Sequence, residues 1–164
     1  TRVGWVLPWS EPIVLLSSDP PQHDPTVHQL IRIGCDRLAG FLSDGMDAWK
    51  AARLPMETTD RIDITSLHQA QDGGQAPMVI DVRQPDEWAS GHVAGATHIP
   101  VDDVLARIDE LPTNKDLLFI CAMGVRSGLA CEMAAAMNLA TDRLYNIEDG
   151  TPAWIEKSYP TEYS

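Results

Sequence analysis

The strongest constraint on the fold is that the chain repeats itself. Leu7–Ser17 (LPWSEPIVLLS) and Leu111–Cys121 (LPTNKDLLFIC) both read Leu-Pro, a polar turn, four apolar residues and a small polar or thiol residue, at an offset of 104 (111 − 7). Asp36-Arg37-Leu38 returns as Asp142-Arg143-Leu144, an offset of 106 (142 − 36). Gly45, Ala48, Trp49 and Pro55 return as Gly150, Ala153, Trp154 and Pro160, an offset of 105 (150 − 45). Ordered agreement over about fifty positions, with drifts of one residue, marks a repeated structural unit. The earlier copy lacks its front half. The chain therefore reads as a partial unit, 1–56, followed by a complete one, 57–164, and 164 residues suit one domain and a fraction. Thr1, standing where a Met would start a chain, fits a piece processed or excised from something longer.

Composition bounds the function classes. Apolar residues make up 44% of the chain, enough for a core and against disorder. Twelve basic against 24 acidic side chains leave a formal charge of −12, which argues against nucleic acid or an anionic membrane as partner. Neither an apolar run of about 20 residues nor a basic-then-apolar leader occurs, so no membrane partner is expected. Three cysteines are too few and too odd in number for a disulfide scaffold, which favours a reduced, cytoplasmic setting.

Met78–Val82 and Leu117–Ile120 are short continuous apolar runs, the mark of strands covered on both faces. Pro85 followed by Asp86 and Glu87 reads as a helix start, because proline suits the first helical position and carboxylates suit the positive dipole end. Val101, Val104, Leu105 and Ile108 have helical spacing and predict a helix over 101–108. Ser127–Asn138, with its Ala run, Leu129, Met133 and Met137, predicts a buried helix. Arg143–Glu148 is a strand, Asp149-Gly150 a turn and Pro152–Lys157 a last short helix. In the partial unit Ile13–Leu16 and Arg37–Leu42 are strands, with a helix starting at Asp24-Pro25 and ending before Gly34. Glu57–Asp63 reads as a linker running into a short first strand. Strands alternating with helices give an α/β fold with a parallel sheet covered on both sides.

The segment able to carry chemistry is Cys121-Ala122-Met123-Gly124-Val125-Arg126-Ser127, at the carboxyl end of a buried strand where open parallel sheets bind ligands. A loop wrapping into a helix start aims backbone N–H groups at its centre and adds the positive dipole end. Such surroundings favour a thiolate. Gly124 permits a tight turn with positive φ, and Arg126 supplies a fixed charge that either attracts an anionic donor or pairs with a nearby carboxylate. Met123 and Val125 would form an apolar rim. Cys35 and Cys131 read as core residues, with Cys131 as a resolving thiol the lesser alternative. Asp81, Arg83 and Glu87 read as a supporting cluster of salt bridges and caps at a strand end rather than an acid–base set. His92 and His98 sit in a Gly-rich connection without ligand-like clustering, and His23, His28 and His68 read as surface residues. No metal or other cofactor is expected.

These segments carry a family resemblance. Asp81-Val82-Arg83 with Glu87-Trp88, the run from Gly91 to Pro100, the Cys121–Ser127 loop and the closing Asp149-Gly150, Trp154 and Pro160 resemble the rhodanese-like sulfurtransferases. The resemblance implies a five-stranded parallel sheet flanked by helices. It also implies that Cys121 becomes a persulfide by taking sulfane sulfur from a small anionic donor, thiosulfate or a persulfide, and passes it to a thiol or cyanide. Ala122, Met123, Gly124, Val125, Arg126 and Ser127 are then the substrate-binding loop. The partial unit resembles the tail of a second such domain. Its corner Ser17-Ser18-Asp19-Pro20-Pro21 has no thiol and no loop arginine, so it is expected to be catalytically silent. The order of units is similar to fusions in which a metallo-β-lactamase-like domain precedes rhodanese domains. Four residues separate Cys121 from Arg126, where Cys-dependent phosphatases have five, so sulfur transfer is favoured over phosphate hydrolysis. A binding or regulatory module with an idle thiol is the alternative from a different class. An open half-sheet is expected to pack on the complete unit, a missing upstream domain or a second copy, burying Trp5 or Trp9.

Overall fold

The computed structural model describes residues 11–16, 25–56, 59–74, 77–137 and 143–164. The chain forms two compact units, Thr1–Met56 and Glu57–Ser164. Trp5, Trp9 and the Ser17–Pro21 corner lie outside the described residues.

In the first unit, β1 (Ile13–Leu16) pairs in parallel with β2 (Leu38–Leu42), with α1 (Pro25–Arg32) between them in sequence and α2 (Gly45–Ala51) after them. Gly34, just beyond α1, has φ 84°, so the chain turns there as the sequence predicts.

The second unit contains a five-stranded parallel sheet. Its strands are β3 (Asp60–Ile62), β4 (Met78–Asp81), β6 (Thr97–His98), β7 (Leu117–Ile120) and β8 (Leu144–Ile147), in the spatial order β3-β8-β7-β4-β6. This is the sheet the resemblance implies. All four residues of central β7 are buried, consistent with a strand covered on both faces. A separate antiparallel pair joins β5 (His92–Val93) to β9 (Thr161–Glu162). The helices are α3 (Ile64–Asp72), α4 (Pro85–Ala89), α5 (Val125–Ala136) and α6 (Gly150–Glu156). On one side of the sheet Ile64, Leu67, Val79, Val93, Leu118, Ile120, Ile147 and Trp154 form a continuous buried cluster.

Positions that the sequence comparison aligns pair in corresponding ways within each unit. Ile13 faces Leu38 across the first pair and Leu117 faces Leu144 across β7 and β8, the positions the sequence repeat aligns. Gly45 and Gly150, also aligned, both have positive φ, 50° and 78°.

Three expectations need correction. The segment expected as a helix over 101–108 forms two 3-10 turns, Val101–Asp103 and Ile108–Glu110. Val101, Val104 and Ile108 are buried while Leu105 is exposed. Apolar spacing selects the face turned to the core, and i→i+3 and i→i+4 hydrogen bonding both satisfy it over so short a stretch. His92 and His98, in the Gly-rich connection, each lie in a two-residue strand that the sequence reading did not mark. The linker over 57–63 runs at Asp60 into the expected short first strand, β3, and is followed by α3, a helix the sequence reading omits. Its N-terminal signal is Asp63, whose carboxylate accepts the Ser66 N–H at 2.7 Å.

Candidate active site

Central β7 delivers Cys121 to the carboxyl edge of the sheet. The chain then makes a turn of three residues. Gly124, at φ 79°, caps α5, which starts at Val125, two residues before the expected Ser127. A Cβ on Gly124 would lie 2.8 Å from the Glu148 Cα, so glycine is required for space as well as for φ. The early start places Arg126 and Ser127 in the first turn, whose N–H groups have no partner within the helix.

Those N–H groups turn to the sulfur. The amides of Met123, Arg126 and Ser127 hydrogen-bond to Cys121. The Ser127 hydroxyl donates to Cys121 Sγ at 3.3 Å and lies 3.4 Å from the Ile147 carbonyl. Burial pushes the Cys121 thiol up. The Ser127 hydroxyl and the three amides outweigh it, and the thiol lies below its ordinary range. The residue itself is only 1% exposed. Met123, at 71%, and Val125, at 36%, form the outward edge of the loop.

The second thiol of the region behaves differently. Cys131, buried on α5, donates to the Tyr145 carbonyl at 3.2 Å, and burial pushes its pKa up to about 12. It is a packed thiol. Cys35 is likewise buried.

Arg126 is held from outside the loop. Its Nη1 and Nη2 donate to the two carboxylate oxygens of Glu87 at 2.6 and 2.7 Å. The sequence left two roles open for this arginine: the carboxylate pairing is present, and the guanidinium also interacts with Cys121. Glu87 sits in the first turn of α4 and also accepts the Gln84 N–H at 3.2 Å. The hydrogen bond from Arg126 holds its carboxyl below the usual range, against the opposing effect of burial.

Asp81 and Arg83 form a second, buried pair one layer further in. Arg83 Nε and Nη2 reach Asp81 at 2.7–3.0 Å, and Nη2 also donates to the Gly91 carbonyl at 2.8 Å. Thr151 Oγ1 donates to Asp81 at 3.4 Å, and the Thr151 N–H donates to the Cys121 carbonyl at 2.8 Å. α6 is thereby tied to the strand end that carries the thiol. The indole of Trp88 stacks with the imidazoles of both His92 and His98, with centroids 3.3 and 4.7 Å away.

Two residues here escaped the sequence reading. Thr151 is one. Asn146 is the other: its Nδ2 donates to the Gly124 carbonyl at 3.1 Å, holding the cap of α5 from β8. A polar residue within an otherwise apolar strand was its only signal. His68, expected at the surface, is half-buried and packs on Tyr159, with ring centroids 4.0 Å apart. Among the described residues, no group of three or more His, Cys, Asp or Glu is arranged to hold a metal ion.

A parallel five-stranded α/β unit with a cysteine loop at the tip of its central strand defines the class. The sequence profile of the rhodanese-like domain matches residues 63–157, and the chain belongs to that family. It is 31% identical over 101 residues to a sulfurtransferase of Allochromatium vinosum, covering 62% of this chain and 92% of that protein. Among solved structures, a rhodanese-related protein from Thermoplasma volcanium aligns with TM-score 0.56 and 30% identity, covering 64% of this chain and 99% of that one. A rhodanese-like domain protein from Staphylococcus aureus aligns with TM-score 0.54 and 27% identity, covering 58% and 91% respectively.

Proposed function

We propose that this protein is a sulfurtransferase in which Cys121 carries sulfane sulfur as a persulfide. The observation that supports the reading best is the convergence of three backbone amides and the Ser127 hydroxyl on one sulfur atom. Four donors aimed at one point stabilise negative charge there, first on the thiolate and then on the terminal sulfur of a persulfide. The Cys121 thiolate attacks the outer sulfur of a donor, thiosulfate or a persulfide. The donor's S–S bond breaks as the new one forms, and the leaving group departs with the bonding electrons. Attack by a thiol or cyanide on the terminal sulfur restores the thiolate. The name of the Allochromatium vinosum relative agrees with this chemistry. Cytoplasmic location and the absence of a resident cofactor belong to the same proposal.

The 1% exposure of Cys121 favours a second reading, a binding module with an idle thiol. One measurement separates the two. On incubation with a sulfur donor, the sulfurtransferase gains one sulfur atom on Cys121 by intact and peptide mass spectrometry, and Cys121→Ser gains none. A wild-type protein that stays unmodified under conditions that load a reference sulfurtransferase is the binding module.

A further inference from the structure

Asn146 lies in β8, flanked by Phe119 of β7 and Arg61 of β3, and is 7% exposed. Its Nδ2 donates to the Gly124 carbonyl at 3.1 Å, while its Oδ1 has no hydrogen-bond partner among the described residues. A buried polar group left half-satisfied costs free energy that an apolar residue in the same place would not. Gly128, the fourth residue of α5, carries a second cost, because glycine inside a helix is less favourable than alanine. The two residues meet: a Cβ on Gly128 would lie 3.2 Å from Asn146 Nδ2. The Gly128 N–H also donates to the Gly124 carbonyl, at 3.0 Å. Both unfavourable choices converge on one oxygen atom at the cap of α5.

Resting on the reading of Cys121 as a sulfur carrier, we infer that Asn146 is a positioning residue for that thiol, acting through the Gly124 carbonyl, and that Gly128 is small in order to admit it. A carbonyl oxygen has two lone pairs, and Asn146 and Gly128 fill both. The peptide from Gly124 to Val125 is planar, so anchoring its oxygen also fixes its N–H and the direction in which α5 sets out. Gly124, at φ 79°, does not fix that direction by itself, since glycine has more conformational freedom than any other residue. The next two amides, those of Arg126 and Ser127, are donors to the Cys121 sulfur. Hydrogen bonds weaken steeply as their angle closes from linear, so a first turn that pivots about Gly124 loses both together. Asn146 bonds to the loop backbone rather than to the sulfur, and so acts on the thiol at one remove.

The test uses the full chain and reads the ionisation midpoint of Cys121 by iodoacetamide labelling against pH, with folding checked by denaturant unfolding. Asn146→Ala removes the donor and leaves in place Arg126, the charged group acting on Cys121, and its partner Glu87. Its midpoint is expected about half a pH unit above that of the wild type, which is about threefold less thiolate at a pH below both midpoints. Gly128→Ala presses a methyl against Asn146 Nδ2 while supplying a better helix former. Its midpoint is expected to rise as well, although α5 gains helix propensity, a combination that a role in helix stability alone does not produce. A folded Asn146→Ala protein with the wild-type midpoint overturns the inference. Should Asn146→Ala fail to unfold cooperatively, a wild-type midpoint in Gly128→Ala overturns it. Wild-type protein that takes up no sulfur on Cys121 from thiosulfate or cysteine persulfide overturns the carrier reading instead, and the labelling midpoints still decide whether Asn146 positions the thiol.

Discussion

At the scale of single residues, the two thiols of the second unit show how surroundings decide reactivity. Both are buried. Cys121 faces three amides and a hydroxyl, while Cys131 faces the Tyr145 carbonyl and the charge of Glu132. Burial raises a thiol, as it does for Cys131 with the Glu132 carboxylate adding to it, and the donors at Cys121 reverse the sign. Because the folded state lowers the Cys121 pKa, ionisation there contributes stability above the unfolded thiol's pKa. That contribution is lost as pH falls through the folded value. Iodoacetamide labelling followed against pH should give Cys121 a midpoint below that of a free cysteine, with Cys131 unlabelled throughout. Ser127→Ala removes one donor and should move the midpoint upward, and an unmoved midpoint would show that the amides alone set it. The thiol and its loop were legible in sequence because they are contiguous. The state of Arg126 was not, since its partner Glu87 lies 39 residues away and nothing local joins them.

At the scale of elements, the corner depends on where α5 begins. Sequence reading placed the start at Ser127, from the Ala-rich run, whereas the helix begins at Val125 because Gly124 takes the left-handed conformation and caps it. Those two residues matter: they make the amides of Arg126 and Ser127 first-turn donors without intrahelical partners, and both act on the sulfur. Gly124→Ala combines a left-handed φ with a Cβ 2.8 Å from the Glu148 Cα. It should destabilise the protein by about 1–3 kcal/mol, read by denaturant unfolding. It should also raise the Cys121 labelling midpoint, since the amides can no longer converge. Strands β4, β7 and β8 were legible because their apolar runs are continuous. The 101–110 segment was misread because its apolar spacing satisfies two kinds of helix. α3 was missed because a short helix whose outer face is polar leaves little signal beyond its N-cap.

At the scale of the whole molecule, the two units differ in how much apolar surface they bury among their described residues. In the second unit, β7 is buried along its length and the cluster around Leu67, Ile120 and Trp154 is continuous. In the first, Leu30 and Cys35 are the buried apolar side chains, while Val14, Leu16, Phe41 and Met46 are exposed. Its two strands pair with each other, and a lone two-stranded sheet is at best marginally stable in water. The register shared by Ile13–Leu38 and Leu117–Leu144 supports reading this unit as half of a repeat. In the complete unit, the strands corresponding to β1 and β2 are flanked by β4 and β3. Residues 57–164 produced alone should therefore unfold in one cooperative thermal transition and accept sulfur on Cys121. Residues 1–56 alone should show no cooperative transition and should bind an apolar fluorescent dye, because among the described residues their sheet has two strands and few buried side chains to offset chain entropy. A cooperative transition in 1–56 would mean that the short unit supplies its own core.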